Sequence, residues 1–92
     1  MRVRFLRKAV ADLRRITNYI ALDDPSAAAR LVRRIDAHLD LVAATGFTAM
    51  TRAGRRSGTR ELVEGKYIIT YRHDGQSDEV VMVSVVHGAR RR

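Results

Sequence analysis

The stretch that decides the fold runs from residue 59 to residue 87, with the sequence TRELVEGKYIITYRHDGQSDEVVMVSVVH. Three runs rich in β-branched and aromatic residues, at 59–63, 67–72 and 79–87, are separated by two short connections that each contain a glycine. Such runs favour strands, and such connections favour hairpin turns. The stretch therefore predicts a three-strand antiparallel meander. Because the last run is apolar on both faces, it predicts a central strand that helices cover on at least one side.

Upstream of the meander, the sequence predicts one strand and two helices. Val3 and Phe5 alternate with arginines, which is the pattern of a strand at residues 2–6. Apolar residues then recur every three or four positions, as on one face of a helix, first from about residue 8 to 22 and again from about 25 to 44. The first helix carries Val10, Leu13, Ile16 and Ile20 on its apolar face and places Asp12 among the polar residues of the other face. The apolar face of the second carries Ala28, Leu31, Ile35, Leu39 and Val42.

Asp24 and Pro25 mark the start of the second helix. An aspartate can accept hydrogen bonds from the free amides at a helix start, and proline fits the first helical position because it has no amide hydrogen to satisfy. Since only a few residues separate the two helices, they are expected to form an antiparallel hairpin. Leu13, Ile35 and Val83 are expected to lie in the core of the hairpin and the sheet.

Between the second helix and the meander, residues 45–58 show neither helical nor strand periodicity. Gly46 is expected to end the helix, and the arginines that follow predict a basic loop. The resulting order is β-α-α-β-β-β in a single α+β domain spanning residues 1–92, because so short a chain cannot support two hydrophobic cores.

Composition narrows the classes of partner. The formal net charge of +8 predicts attraction to RNA, DNA or an acidic protein, without choosing among them. The chain has no cysteine and only three scattered histidines, so we expect no metal site and no cofactor. Charged residues interrupt the N-terminal apolar run, which argues against a signal peptide and a membrane span and predicts a cytoplasmic protein.

The chain resembles the RelE/ParE superfamily of toxins from type II toxin–antitoxin systems, and the likeness extends over nearly its whole length. The residues that carry it in the helices are Ala9, Asp12, Leu13, Ile16, Tyr19, Ile20, Pro25, Ala27 and Ala28. In the sheet they are Gly58, Thr59, Arg60, Glu61, Leu62, Tyr67, Ile69, Tyr71, Arg72, Val86, His87 and Arg90. The pattern around 59–62 together with Val86, His87 and Arg90 is more similar to the ParE branch.

This resemblance implies an antiparallel sheet with a helical hairpin, a cognate acidic antitoxin and growth arrest when that antitoxin is lost. The superfamily divides between toxins that inhibit DNA gyrase and toxins that cut messenger RNA on the ribosome. We expect a ParE-like protein that binds gyrase without being an enzyme. The alternative is a metal-independent endoribonuclease of the RelE type. For that reaction His87 is the side chain suited to proton transfer at neutral pH, and Glu61 is a possible carboxylate.

The remaining candidate residues have two possible roles each. The cations expected to bind the target or a phosphate are Arg52, Arg55, Arg56, Arg60, Arg72 and Arg90, although a solvated loop and a frayed tail would explain several of them equally well. Tyr19, Tyr67 and Tyr71 are expected either to pack at the helix edge and in the core or to contact the antitoxin. His87 could serve only to bond the backbone at the end of the last strand.

Overall fold

The computed structural model describes residues 1–46 and 51–88. These residues form a two-helix hairpin packed against one face of a five-stranded sheet, which confirms the predicted α+β fold. The elements are β1 (Arg2–Phe5), α1 (Arg7–Ala21), α2 (Pro25–Thr45), β2 (Thr51–Ala53), β3 (Thr59–Glu64), β4 (Tyr67–Asp74) and β5 (Glu79–His87). We call the sheet face against the helices the inner face and the opposite one the outer face.

The strands lie in the order β1-β5-β4-β3-β2. The predicted meander is present, since β3 pairs antiparallel with β4 and β4 with β5. β1 joins parallel to β5, with Val3 opposite Val80 and Phe5 opposite Met82, so the sheet is mixed and the expectation of an antiparallel sheet is wrong for this strand. The last strand of the chain thus lies between two others, as its apolar sequence predicts.

One strand lies where the sequence predicts only loop. Residues 51–53 form β2, which pairs antiparallel with β3 so that Arg52 lies opposite Glu61. Three residues are too few to show a period-two pattern, and this strand exists because β3 offers it hydrogen-bonding groups. The prediction of an irregular loop over the whole of 45–58 is therefore wrong at this point.

The second helix follows its prediction closely. Its predicted apolar positions are all buried, and Ile35 and Leu39 are at most 1% exposed. The Asp24 carboxylate accepts a hydrogen bond from the Ala27 amide at 3.0 Å, as expected of a helix cap. At the other end Gly46 adopts φ 69°, a left-handed conformation that glycine reaches without steric cost, and its amide donates to the Val42 carbonyl at 2.8 Å.

The first helix is rotated from its predicted orientation. Ala9, Asp12 and Ile16 are its buried residues, whereas Val10 is 41% exposed and Leu13 and Ile20 pack at the margin of the core. The prediction that Asp12 belongs to the solvated face is wrong. A carboxylate is buried here because the sheet offers it a partner that the sequence of the helix does not reveal.

A β-bulge in β5 changes which of its residues meet the core. Ser84 lies opposite Thr70 and Met82 lies opposite Tyr71, so that Val83 is an extra residue between two pairs. Val80, Met82 and Val85 face the helices, whereas Val83 is only half-buried and outside the core cluster. The expectation of Val83 as a core residue is wrong because alternation fails where the strand bulges.

Candidate functional site

The outer face of the sheet carries a row of polar side chains that crosses four strands. Arg52 lies opposite Glu61, Glu61 opposite Thr70 and Thr70 opposite Ser84. Because side chains alternate between the two faces of a strand, these four residues share the face that the helices leave uncovered. Residues of four separate strands are thus placed side by side.

Glu61 is the buried member of this row. Its residue is only 3% exposed, and its Oε1 accepts a hydrogen bond from Nε of Arg52 at 3.0 Å. A buried carboxylate requires such a partner, because an unpaired charge is costly to remove from water. The ion pair joins the short edge strand β2 to β3.

A cleft of about 330 Å³ opens over this row. Its polar lining residues are Thr59, Glu61, Thr70 and Ser84, and Val83 and Val86 supply an apolar wall. Three cations complete its lining: Lys8 from the start of α1, and Arg55 and Arg56 from the β2–β3 connection. The lining of the outer-face cleft, as we call it, therefore combines three cations, three hydroxyl-bearing residues and an apolar wall.

Asp12 connects the cleft to the helical hairpin. Its Oδ2 accepts from Nζ of Lys8 at 2.7 Å and from the backbone amide of Val85 at 3.2 Å, and its Oδ1 accepts from Arg15 at 3.2 Å. β1 pairs with β5 only as far as Met82, so Asp12 occupies the edge of β5 beyond the end of β1.

Burial and hydrogen bonding have opposite effects on the pKa of Asp12. Burial by itself would raise the pKa of this carboxyl, but the hydrogen bonds from Lys8, from the Val85 amide and from Arg15 together hold the pKa below its ordinary value. Asp12 is therefore a charged residue that fixes α1 on β5. The spacing of Lys8 and Arg15, four residues before and three after, is the signal in the sequence that predicts its ion pairs.

The predicted cationic residues divide between the two faces. Arg52 lies on the outer face, Arg55 and Arg56 line the cleft, and Arg72 follows Thr70 on the outer face with its guanidinium 3.8 Å from Asp74. Arg60 belongs to the inner face, where Nε donates to Thr51 Oγ1 at 2.9 Å and an Nη donates to its carbonyl at 3.0 Å. Arg90, the remaining predicted cation, lies outside the described residues.

His87 is separated from the clustered arginines. Two residues beyond the buried Val85 on β5, it lies on the inner face, and its ring meets that of Tyr67 edge-on with centroids 5.5 Å apart and planes at 86°. The four outer-face and cleft arginines lie on the other side of the sheet. The structure therefore does not bring the predicted acid–base group together with Arg52 and Arg55.

The three tyrosines have different positions. Tyr71 is 2% exposed and lies in the core, which is the first of the two roles predicted for it. Tyr67 packs against that core while remaining half-buried, and Tyr19 is 72% exposed on α1, so the expected packing of Tyr19 at a helix edge is wrong.

A second concavity, of about 350 Å³, lies beside α1 on the hairpin. Phe5, Leu13 and Val32 line it together with Val10, Arg14 and Thr17. We call it the hairpin groove. It is the apolar counterpart of the outer-face cleft.

Neither a cluster of potential metal ligands nor a membrane-spanning helix is found in the described parts of the chain. Within residues 1–46 and 51–88, no group of three or more His, Asp or Glu side chains could hold a metal ion. Over the same ranges, no helix combines the length and the apolar character needed to cross a bilayer.

Comparison with known proteins identifies relatives over almost the whole chain. The model of a family described as the ParE toxin of the type II toxin–antitoxin system parDE matches residues 3–92. A protein of Sinorhizobium fredii named "Putative toxin Y4kP" is 42% identical over 88 residues, which are 94% of this chain and 86% of that protein.

Two solved structures share the fold. A chain of the chromosomal ParDE toxin–antitoxin system of P. aeruginosa superposes with a TM-score of 0.74 at 23% identity, covering 95% of each chain. A chain of the RelBE2 toxin–antitoxin complex of Mycobacterium tuberculosis gives a TM-score of 0.60 at 28% identity, covering 94% of this chain and 95% of that one.

Proposed function

Because this chain belongs to the family of ParE toxins of type II toxin–antitoxin systems, we propose that it arrests growth by binding DNA gyrase and that a cognate antitoxin silences it. The observation that carries the choice of target is the position of His87. It lies on the inner face, whereas Arg52, Arg55 and Arg56 lie on or beside the outer face.

A metal-independent ribonuclease needs a proton acceptor and cations that converge on one phosphate. Two residues are candidates for the acceptor. The sheet lies between His87 and the clustered arginines, and the carboxylate of Glu61 is buried and accepts a hydrogen bond from Nε of Arg52 at 3.0 Å. Arg60 shares the inner face with His87, and its guanidinium donates two hydrogen bonds to Thr51. This arrangement suits a protein that acts by binding, and it disfavours the RelE-type alternative.

The outer face supports the proposed binding role. It presents Arg52 and Arg72, and Arg55 and Arg56 stand beside it in the exposed β2–β3 connection. Arg52 and Arg72 are paired with Glu61 and Asp74, so Arg55 and Arg56 supply the excess of positive charge. Such an excess steers an oppositely charged partner toward the surface and accelerates association. We therefore place the contact with the target on this face.

Expression of the chain without its antitoxin is expected to stop DNA synthesis before protein synthesis, with an early DNA-damage response. Pulse labelling of both polymers after induction measures the order. His87→Gln should retain most of the toxicity, because no proton transfer is needed and a hydrogen-bonding side chain of similar reach remains. Arg55→Glu with Arg56→Glu should lose it, provided the variant melts at the same temperature as the parent.

The competing function predicts the reverse order of events. A ribosome-dependent nuclease would halt translation within minutes and leave cut messages. The cleavage activity of His87→Gln would then be about 10²–10⁴-fold below that of the parent, because general acid–base catalysis contributes a factor of this size. Protein synthesis failing first, together with a harmless His87→Gln variant, would refute the gyrase proposal.

The antitoxin partner is proposed from the charge and from the hairpin groove. The chain has a formal net charge of +8, and the groove combines apolar Phe5, Leu13 and Val32 with Arg14 at its border. An acidic amphipathic helix would match both properties, its apolar side in the groove and its carboxylates toward the arginine. Relatives of the same fold come from toxin–antitoxin systems.

Co-expression with the product of the neighbouring small reading frame is expected to restore growth. Purification over a tag carried by one protein should then recover both. Val10→Asp, at the groove, should weaken recovery, because it adds a negative charge where the acidic partner docks. Tyr19→Asp, an equal change of charge on the same helix, tests the predicted contact at Tyr19. Healthy cells without the partner, or recovery of the toxin alone, would contradict the proposal.

A further inference from the structure

The outer-face cleft has the properties of a ligand site as well as those of a charged surface. We propose that it binds a nucleoside phosphate, with the phosphate on its cations and the nucleoside on the floor that Thr70, Ser84 and the two valines form. The volume of about 330 Å³ lies at the lower end of the range for small-molecule sites, about 300–1,000 Å³. This inference concerns a ligand of the cleft and does not depend on which macromolecule the toxin inhibits.

The cations of the cleft come from two directions. Arg55 and Arg56 lie in the exposed connection between β2 and β3, and Lys8 approaches from the start of α1. Arginine presents several donors in a planar fork that matches phosphate oxygens, and lysine adds a point charge. Asp12 holds the ammonium of Lys8 at 2.7 Å, so this cation is positioned before any ligand binds.

The floor of the cleft favours a nucleoside over a carboxylate ligand. Thr70 and Ser84 are opposite each other on adjacent strands, and each hydroxyl can donate and accept a hydrogen bond. Glu61 continues the same row and can only accept while ionised. Ribose hydroxyls and the amino groups of bases supply donors, whereas a carboxylate placed on this part of the floor would lie against that of Glu61.

The β-bulge shapes the wall of the cleft. In a regular strand Val83 and Ser84 would point to opposite faces, but here both line the same cavity. The bulge thus adds an apolar side chain next to a hydroxyl, and Val86 extends the apolar wall. A flat base can pack on the two valines while the polar groups of the nucleoside reach Thr70 and Ser84. Bulges that redirect side chains in this way are common beside functional sites.

Titration of the full chain with AMP, GMP and inorganic phosphate, followed by calorimetry and NMR, tests the site. We expect both nucleotides to bind and to shift the amide signals of β4 and β5 around Thr70 and Ser84. Arg55→Ala with Arg56→Ala should weaken nucleotide binding by about tenfold or more, because charge-assisted hydrogen bonds to phosphate are lost. The matched control, Arg33→Ala with Arg34→Ala, removes the same charge from exposed positions on α2 and should change binding by less than about twofold.

Ser84→Ala separates a nucleoside site from a plain anion site. It should weaken AMP while leaving the affinity for inorganic phosphate unchanged. Phosphate binding as tightly as AMP, or equal losses in the two arginine pairs, would each overturn the proposal. The absence of nucleotide binding at 50 mM salt would overturn it as well.

A short single-stranded oligonucleotide distinguishes the source of the ligand. If it binds far more tightly than AMP and loses affinity in the same Arg55 and Arg56 variant, the cleft takes a nucleotide of a nucleic-acid strand. If AMP and the oligonucleotide bind alike, the ligand is a free nucleotide. Both results support the shared chemistry of a nucleoside phosphate.

Discussion

Asp12→Ala is expected to lower the free energy of unfolding by about 2–3 kcal/mol. Most of the loss comes from the Val85 amide, which becomes a buried donor without its acceptor at the edge of β5. The ion pairs with Lys8 and Arg15 add little, because those two side chains are 65% and 64% exposed and regain water. For a domain of this size, the melting temperature should fall by about 10–20 °C, which thermal unfolding followed by circular dichroism measures.

Asp12→Asn isolates the charge of this residue. The amide oxygen of asparagine can still accept from Val85, so the loss should be less than half of that in Asp12→Ala. Asp40→Ala is the matched control, because Asp40 is an exposed carboxylate on α2. Partial burial raises the pKa of Asp36, and the negative charge of Asp40 raises it further. Removing Asp40 relieves this repulsion and should leave stability unchanged or slightly higher. Equal melting temperatures for Asp12→Ala and Asp40→Ala would contradict the role of Asp12.

The lowered pKa of Asp12 also predicts how stability depends on pH. Because the folded protein favours the charged carboxylate, its contribution is complete above the pKa of an unfolded aspartate, near 4. It is lost as the pH falls through the lower pKa of the folded state. The stability difference between the parent and Asp12→Asn should therefore be constant above about pH 5 and shrink as the pH falls below about 4. A difference that grows on acidification would contradict this assignment.

Ile35→Ala is expected to be the most destabilising of the substitutions considered. Ile35 is fully buried at the centre of the α2 face that packs on the sheet. Removing three methyl or methylene groups from such a site typically costs about 2–5 kcal/mol, since the transfer term and the cavity add. The free energy of unfolding of a small domain is about 5–15 kcal/mol. Thermal unfolding should show a melting temperature lower by about 10 °C or more.

Leu41→Ala provides the matched control on the same helix. Leu41 is 43% exposed, so its truncation leaves little cavity and should cost about 1 kcal/mol or less. Toxicity should fall with Ile35→Ala, although the residue lies far from the outer face, and should persist with Leu41→Ala. If both variants melted alike, the orientation of α2 described above would be wrong.

The sequence was sufficient where a local pattern has one physical interpretation. The period of three to four in α2, with Asp24 and Pro25 at its start, predicted the buried face and the cap that the structure shows. The meander followed from three β-rich runs and their glycine turns, and the apolar last run predicted a central strand. In each case the residues that determine the outcome are neighbours in the chain, and burial of apolar surface favours a single arrangement.

Only the tertiary structure decided the residues of the candidate site. Within its helix Asp12 is only one of several polar residues. It becomes buried because it accepts a hydrogen bond from the amide of Val85, 73 residues later, at the edge of β5 beyond the end of β1. The bulge that turns Val83 toward the outer face depends on the pairing of β5 with β4. The sequence presents Glu61, Thr70 and Ser84 as separate residues of three strands, and strand register alone aligns them. A hydrogen bond or a register is a relation between distant segments, so no periodicity within one segment can report it.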